Sequence, residues 1–249
     1  MATIPAVAPE APEPAKISAF GRLIGVFFSP KGTFEDIARR PSWVLPVVVM
    51  TVLGIATAFV MNQKVDWREV ASKRIEESPR AANMSADQKE QQLAMSAKIS
   101  PAIAYVFGTI GPILAVVIVA AVMLLVYNMI GGASATFGQA MGVVSHAFFV
   151  TIIGTVFLIA ILYLKPPGTV DLDNPVATNV GAFLPESTPK PVQALAKSID
   201  IFSIWQLLLI AVGFTAINAK KLKGKALSLA LIPWAVWVAV KMAGAWIFS

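Results

Sequence analysis

The sequence predicts an all-α, polytopic integral membrane protein: a bundle of five transmembrane helices preceded by an N-terminal cytoplasmic amphipathic helix. Of its 249 residues, 57% are hydrophobic and only 14% are charged, whereas soluble domains carry about 25% charged residues. The mean hydropathy is +0.72. Five stretches are apolar over the roughly 20 residues that a helix needs to cross a bilayer. Because lipid offers the backbone no hydrogen-bond partners, each stretch is predicted to be helical.

The chain before the first span is predicted to have two parts. Residues 1–15 contain four prolines and no apolar periodicity, which is typical of a disordered tail. Residues 16–41 form a cytoplasmic interfacial segment with an amphipathic helix, lying either on the membrane surface or against the bundle. Its apolar positions recur at helical spacing: Ile17, Phe20, Ile24 and Phe27.

Ser29 and Pro30 are expected to end this helix, because a proline disfavours helical backbone in the residue before it. Thr33 would then be the N-cap of a second short helix. Asp36 would lie near the N-terminus of that helix, where its charge is favourable.

Residues 42–249 form the predicted transmembrane domain. Its external loops are 63–101 and 165–200, and the first of these carries a capping-box pattern, Ser85 to Gln88, that predicts a helical hairpin. The spans cover about 42–62, 102–130, 137–164, 201–219 and 226–248. Three prolines inside spans are predicted to kink or break their helices: Pro46, Pro112 and Pro233.

Basic residues in short loops predict the orientation of the bundle. Arg39 and Arg40 directly precede the first span, and four lysines lie in the loop before the last span: Lys220, Lys221, Lys223 and Lys225. Positive charge in short loops favours the cytoplasm. The expected topology therefore has a cytoplasmic N-terminus and an external C-terminus.

The composition argues against several functions. The chain contains no cysteine, which excludes thiolate zinc sites and cysteine nucleophiles. No hydrolase, metalloprotease or phosphate-loop motif occurs, so the sequence predicts no catalytic residue, no cofactor, no metal site and no enzymatic activity. Basic residues interleaved with aromatic ones are also missing, and a nucleic-acid partner is not expected.

Two ionisable residues inside spans are the candidate functional side chains, because such groups are uncommon within a bilayer. His146 is the only histidine and could instead simply bond a backbone carbonyl or a polar side chain such as Asn128. Lys241 lies near the C-terminus, where snorkelling to the headgroups would explain it.

Small residues around the second loop predict close helix packing. Gly138 and Gly142 are four residues apart, and Gly131 and Gly132 precede them. This spacing allows helix backbones to approach closely, within one chain or between two copies.

Two segments resemble the Yip family (Ypt-interacting-protein-like), and in particular its bacterial branch. The first, residues 28–37, reads FSPKGTFEDI, and the second, residues 200–207, reads DIFSIWQL and leads into the fourth span. The five-span layout and the glycine-rich second loop are also similar, over residues 20–248.

The resemblance implies a membrane domain whose eukaryotic members bind Rab-type GTPases during vesicle trafficking. The Asp-Leu-Tyr-Gly-Pro motif of that branch is absent here, so the resemblance does not support a Rab-type GTPase partner. It favours a bacterial cytoplasmic (inner) membrane location, the alternative being the endoplasmic reticulum or Golgi membrane of a eukaryote.

The predicted function is that of a non-enzymatic scaffold, or an assembly or trafficking factor, for other membrane or envelope components. The expected partners are membrane lipids and either other membrane proteins or further copies of this chain. The alternative is a lipid or small-solute translocator, for which His146 and the proline-interrupted spans would be the relevant features.

Overall fold

The structure, a computed structural model, describes residues 16–76, 78, 81, 83–166, 169–172, 174–185 and 187–247. The predicted disordered tail, residues 1–15, lies outside the described residues. The described part confirms an all-α polytopic membrane protein. Its α-helices are α1 (Ala19–Phe28), α2 (Pro30–Arg39), α3 (Val44–Lys64), α4 (Trp67–Glu76), α5 (Ala86–Met129), α6 (Phe137–Phe148), α7 (Ile152–Leu164), α8 (Lys190–Ser198), α9 (Ile201–Ile217), α10 (Ala219–Leu222) and α11 (Ala226–Ile247).

The first two helices form a pair at the start of the bundle. Ser18 caps α1 through its side chain, and the helix ends before Pro30 as predicted. The prediction that Thr33 caps the second helix is wrong: α2 begins at Pro30, and the Thr33 hydroxyl donates to the Ser29 carbonyl within the first turn, at 2.9 Å. Proline suits a first helical position because its missing N–H has no partner there.

Helices α3 and α5 pack closely along their length. A Cβ added at Gly108 would lie 2.5 Å from the Gly54 carbonyl oxygen, so glycine at both positions lets the backbones meet. Helix α5 is 44 residues long and begins at the predicted capping box of Ser85. Its extension packs against α4, where Arg68 and Glu90 form an exposed ion pair at 2.7 Å.

The prolines within spans do not break their helices. Pro112 lies inside the continuous α5 and Pro233 inside the continuous α11, so, of the predicted kink or break, the break is absent at both. Pro46 is the third residue of α3, where a missing N–H leaves the helical hydrogen bonds intact.

The third predicted span is interrupted instead, and without a proline. Helix α6 ends at Phe148, a 3₁₀ turn covers Phe149–Thr151, and α7 continues to Leu164. The turn begins three residues after His146. A 3₁₀ segment inside a long helix frequently marks a functional or strained position.

Within the described part of the chain, four helical segments are long and apolar enough to cross a membrane: Val44–Lys64, Ala86–Met129, Phe137–Leu164 and Ala226–Ile247. The fourth predicted span is the apolar helix α9, which has 17 residues and is shorter than the roughly 20 that a full crossing requires. It is nevertheless central, since Ile210 and Phe214 belong to the buried core.

Side-chain bonds show which loops share each end of the bundle. The Gln139 amide donates to the Ala38 carbonyl at 2.8 Å, and the Asn218 amide to the Ala133 carbonyl at 3.0 Å. The end of α2, the turn between α5 and α6, and the end of α9 therefore lie together, at what we call the Arg40 end. At the opposite Lys64 end, the Lys64 ammonium lies 4.7 Å from the centre of the Tyr163 ring.

Candidate functional site

The N-terminal helix pair packs against the bundle through buried side chains. Helix α2 packs against α6 and α9, with Phe34 and Ile37 fully buried in the core. Helix α1 contributes Leu23 and Val26 to the buried surface. Close approach is possible because Gly25 faces Thr33, where any larger side chain would overlap the threonine hydroxyl. The pair is therefore part of the folded bundle.

Arg22 is the central polar residue of this junction. Its Nε and Nη2 atoms lie 2.8 Å and 2.7 Å from Oδ2 of Asp36. Its Nη1 donates to the Arg40 carbonyl at 3.0 Å and to the Ser42 hydroxyl. Arg40 also approaches the second carboxylate oxygen, at 3.4 Å. One guanidinium thus joins α1, α2 and the residues that lead into α3.

Because this ion pair is buried, it constrains how α1 is oriented relative to the residues that it contacts. The side chains of Arg22 and Asp36 are 4% and 1% exposed. Removing both charges from water is unfavourable, and the structure compensates by giving the guanidinium several acceptors at once. A buried arrangement of this kind favours one orientation of α1 relative to α2 and α3.

His146 lies beneath the helix pair, on α6. It is 1% exposed, and its Nδ1 donates to the Gly142 carbonyl at 2.8 Å. The Ser145 hydroxyl donates to the same carbonyl at 3.2 Å. Of the two predicted kinds of partner for His146, a backbone carbonyl and a side chain such as Asn128, the structure shows the backbone carbonyl.

Asn128 shapes the turn between α5 and α6 instead. Its amide nitrogen donates to the Ala135 carbonyl at 2.9 Å, and its amide oxygen accepts from the Ala135 N–H at 2.8 Å. These two hydrogen bonds to the Ala135 backbone hold a turn in which Gly132 and Ser134 have positive φ angles of 67° and 57°.

Lys241 has a protein partner. Its ammonium donates to the Ser198 hydroxyl at 2.8 Å, and Ser198 is 8% exposed. The bond joins α11 to α8, so snorkelling to the headgroups is not needed to explain this lysine.

Two of the four predicted packing glycines, Gly131 and Gly142, pack closely within the chain, whereas an added Cβ at Gly132 would meet nothing within 4 Å. A Cβ at Gly142 would lie 2.8 Å from Ile37 Cγ2, and one at Gly131 would lie 2.9 Å from side-chain atoms of Leu222 and Leu229. Gly138 has more room, since the nearest atom to an added Cβ is 3.9 Å away in Pro41.

The predicted topology residues share the Arg40 end. Arg39 is exposed in the last turn of α2, and the four loop lysines are all exposed around Gly224: Lys220, Lys221, Lys223 and Lys225. Beside them, α2, α9 and α11 enclose a mostly apolar groove of about 490 Å³, with Lys31 and Glu35 on its α2 side.

The outward face of α1 is apolar. Phe20, Ile24 and Phe28 are 69%, 62% and 84% exposed. They recur every four residues and so form one stripe along the helix. We call these three residues the α1 stripe. Since the opposite face is fixed to the bundle, the stripe is exposed to lipid or to another protein.

A comparison with protein families identifies the chain. The Yip1 domain matches residues 24–244, which include the second half of α1, all of α2 to α10 and most of α11. The chain belongs to the Yip1 family. No curated protein and no solved structure matches the chain.

In the described residues of this Yip1 domain, no group of three or more His, Asp or Glu side chains is close enough to hold a metal ion. The sequence analysis did not identify the Arg22–Asp36 pair, because its two members lie on different helices. The available signal was an arginine within an apolar helix followed 14 residues later by an acid.

Proposed function

We propose that this Yip1-family protein is a non-enzymatic scaffold or assembly factor that recruits other membrane components at the Arg40 end. The α1 stripe carries the proposal. Three large apolar side chains stay exposed on a helix whose other face is bonded to the bundle through Arg22. A rigidly oriented apolar stripe is suited to binding an apolar helix or the membrane interface.

We place the Arg40 end in the cytoplasm. Arg39 and the lysines around Gly224 come from separate loops. The hydrogen bonds from the Gln139 and Asn218 side chains to backbone carbonyls bring these loops to one end. Basic residues in short loops favour the cytoplasmic side. The proposed location is the bacterial cytoplasmic membrane, with an external C-terminus.

Photo-crosslinking in native membranes tests the scaffold role. A photoreactive amino acid at Ile24 reports on the α1 stripe, and one at Phe107, which is 71% exposed on α5, reports on a lipid-facing control position. Discrete protein adducts at Ile24 and none at Phe107 are the expected result. Repeated recovery of the chain without any protein adduct at Ile24 would contradict the proposal.

A lipid or small-solute translocator is the second candidate, favoured by the interruption between α6 and α7. The 3₁₀ turn Phe149–Thr151 follows the buried His146, and interrupted helices build the substrate sites of many transporters. Reconstituted protein should then accelerate lipid or solute movement across vesicles, and His146→Ala should lower that rate. A rate equal to that of empty vesicles argues against this candidate.

A further inference from the structure

The first turn of α9 lies beside Gly154 of α7, well short of the Lys64 end of the bundle. Two contacts fix the position of α9 along α6 and α7. A side chain at Gly213 would overlap Val143, and a Cβ at Gly154 would lie 3.1 Å from the Phe202 ring. Helix α9 therefore runs alongside α6 and the start of α7, and it begins near Gly154.

The ends of the bundle calibrate this depth. A Cβ at Gly142 would lie 3.2 Å from the Ser42 carbonyl oxygen, whereas Tyr163 contacts Lys64 at the other end. About 21 residues separate Gly142 from Tyr163, or roughly 31 Å of helix, which matches a hydrocarbon core of about 30 Å. Gly154 lies about nine residues before Tyr163, so α9 begins roughly 13 Å inside the Lys64 end.

A groove lined by several polar side chains lies at this depth between α7 and α9. It has a volume of about 300 Å³. The neighbouring surface of α7 is apolar, with Val156 and Phe157 52% and 51% exposed. The polar side chains that line the groove come from α7, its preceding turn, α9 and the segment before α9: Thr151, Thr155, Thr178, Asp200, Ser203 and Gln206.

The groups in the groove differ in how they are satisfied. Asp200 accepts from the Phe202 and Ser203 N–H groups and from the Thr178 hydroxyl. The Ser203 hydroxyl and the Gln206 amide have no hydrogen bond to the described residues. Every fully buried side-chain nitrogen or oxygen in the described part has a partner, so these two groups face the open groove. Polar groups at membrane depth require water or a polar ligand.

We propose that this groove is a water-filled vestibule that opens toward the Lys64 end and takes ammonium groups. Among the described residues that line it, Asp200 is the only charged one, so a cation is favoured over an anion. The source of the ammonium is either a lipid headgroup or a free amine. The inference does not depend on the scaffold role, and its test uses no partner protein.

The depth of water entry is measurable because the chain contains no cysteine. Single cysteines replace Ser203 or Gln206 in the groove, and Val156 or Phe157 on the lipid-facing surface of α7. The probe is a charged, membrane-impermeant methanethiosulfonate, equilibrated across proteoliposomes by freeze–thaw so that sidedness does not matter. We expect labelling at least 10-fold faster for Ser203→Cys than for Phe157→Cys. Equal rates at these positions overturn the vestibule.

Charge selectivity is tested by Asp200→Asn in the Ser203→Cys background. Asparagine still caps a helix, so the variant removes the charge and preserves the start of α9. Cationic and anionic methanethiosulfonates are compared, with Gln91→Cys on the exposed start of α5 as the reference. The normalised preference for the cationic reagent should fall at least 5-fold in Asp200→Asn. An unchanged preference overturns cation selection by Asp200.

Protection of Ser203→Cys distinguishes the two sources of ammonium. Labelling is compared in phosphatidylglycerol vesicles, in the same vesicles with phosphatidylethanolamine, and with free ethanolamine. At least 3-fold slowing by phosphatidylethanolamine alone assigns a lipid headgroup, and slowing by free ethanolamine as well assigns amines in general. Rates that change no more than those of Gln91→Cys in either arm overturn the ammonium ligand.

Discussion

Arg22 and Asp36 form an ion pair in which the guanidinium Nη2 lies 2.7 Å from the carboxylate, with both side chains almost fully buried. The pair joins α1 to α2, and through Ser42 it reaches the start of α3. The orientation of the α1 stripe therefore depends on a few charged atoms beneath it.

Breaking this pair should destabilise the helix pair strongly. Asp36→Asn leaves the buried Arg22 charge without its counter-ion, a change that typically costs about 3–5 kcal/mol. The midpoint of unfolding in mixed detergent and SDS should fall accordingly. The double replacement Arg22→Met with Asp36→Leu removes both charges and should recover most of the loss.

The exposed pair Arg68–Glu90 is a matched control, because its atoms are also 2.7 Å apart but its side chains are 56% and 61% exposed. Glu90→Gln should cost less than about 1 kcal/mol. Equal losses for Asp36→Asn and Glu90→Gln would show that burial does not determine the strength of the Arg22 pair.

Tyr127 should contribute through its hydroxyl as well as its ring. The hydroxyl donates to the Ala226 carbonyl at 2.6 Å, and the ring stacks on Phe214 with centres 3.9 Å apart. Tyr127→Phe keeps the stack and removes the bond between α5 and α11, so stability should fall by about 1 kcal/mol in the same SDS titration. As a control, Tyr105→Phe, at a position that is 37% exposed, should change the free energy of unfolding by less than about 0.5 kcal/mol. A loss at Tyr105 as large as that at Tyr127 would contradict a stabilising role for the Tyr127 hydrogen bond.

The sequence predicted the membrane helices better than it predicted their inward faces. Long apolar stretches identify spans by length alone, and the predicted capping box at Ser85 begins α5 in the structure. In α1, however, the apolar periodicity included Phe20 and Ile24, which are exposed, whereas Arg22 is buried. In a membrane protein the outer face is also apolar, so periodicity does not distinguish the core from the lipid.

The candidate site was only partly predictable for a related reason. His146 was found because an ionisable residue within a span is conspicuous in a sequence. The Arg22–Asp36 pair and the position of Asp200 depend on how separate helices are placed against each other. The sequence analysis counted residues 201–219 as a full span, whereas α9 has 17 residues, and its position beside Gly154 required the contact with Phe202.

Gly142 and Gly138 should respond in opposite ways to alanine. A Cβ at Gly142 would lie 2.8 Å from Ile37 Cγ2, and overpacking of this kind costs about 1–3 kcal/mol. At Gly138 the nearest atom is 3.9 Å away, and alanine favours a helix over glycine by up to about 1 kcal/mol. The unfolding midpoint should therefore fall for Gly142→Ala and stay level or rise for Gly138→Ala.

The two glycines also test whether this face joins two copies of the chain. Because α2 covers Gly142, the structure predicts that Gly142→Ala acts on stability without changing the mass of the purified protein–detergent particle. A shift in that mass caused by either alanine variant, measured by light scattering, would indicate an interface between copies.

The α1 stripe should be dispensable for folding and necessary for recruitment. Glutamate at both Phe20 and Ile24 adds charge only at positions that are 69% and 62% exposed, so the thermal unfolding temperature in detergent should stay within a few degrees of the unmodified protein. Val26→Glu, at a fully buried position of the same helix, should lower the unfolding temperature sharply because an unpaired charge enters the core.

If the stripe recruits partners, the double glutamate variant should lose protein crosslinks from a photoreactive residue at Phe28 while remaining folded. Retained crosslinks in that variant would assign recruitment to another surface, the nearest being the groove between α2, α9 and α11.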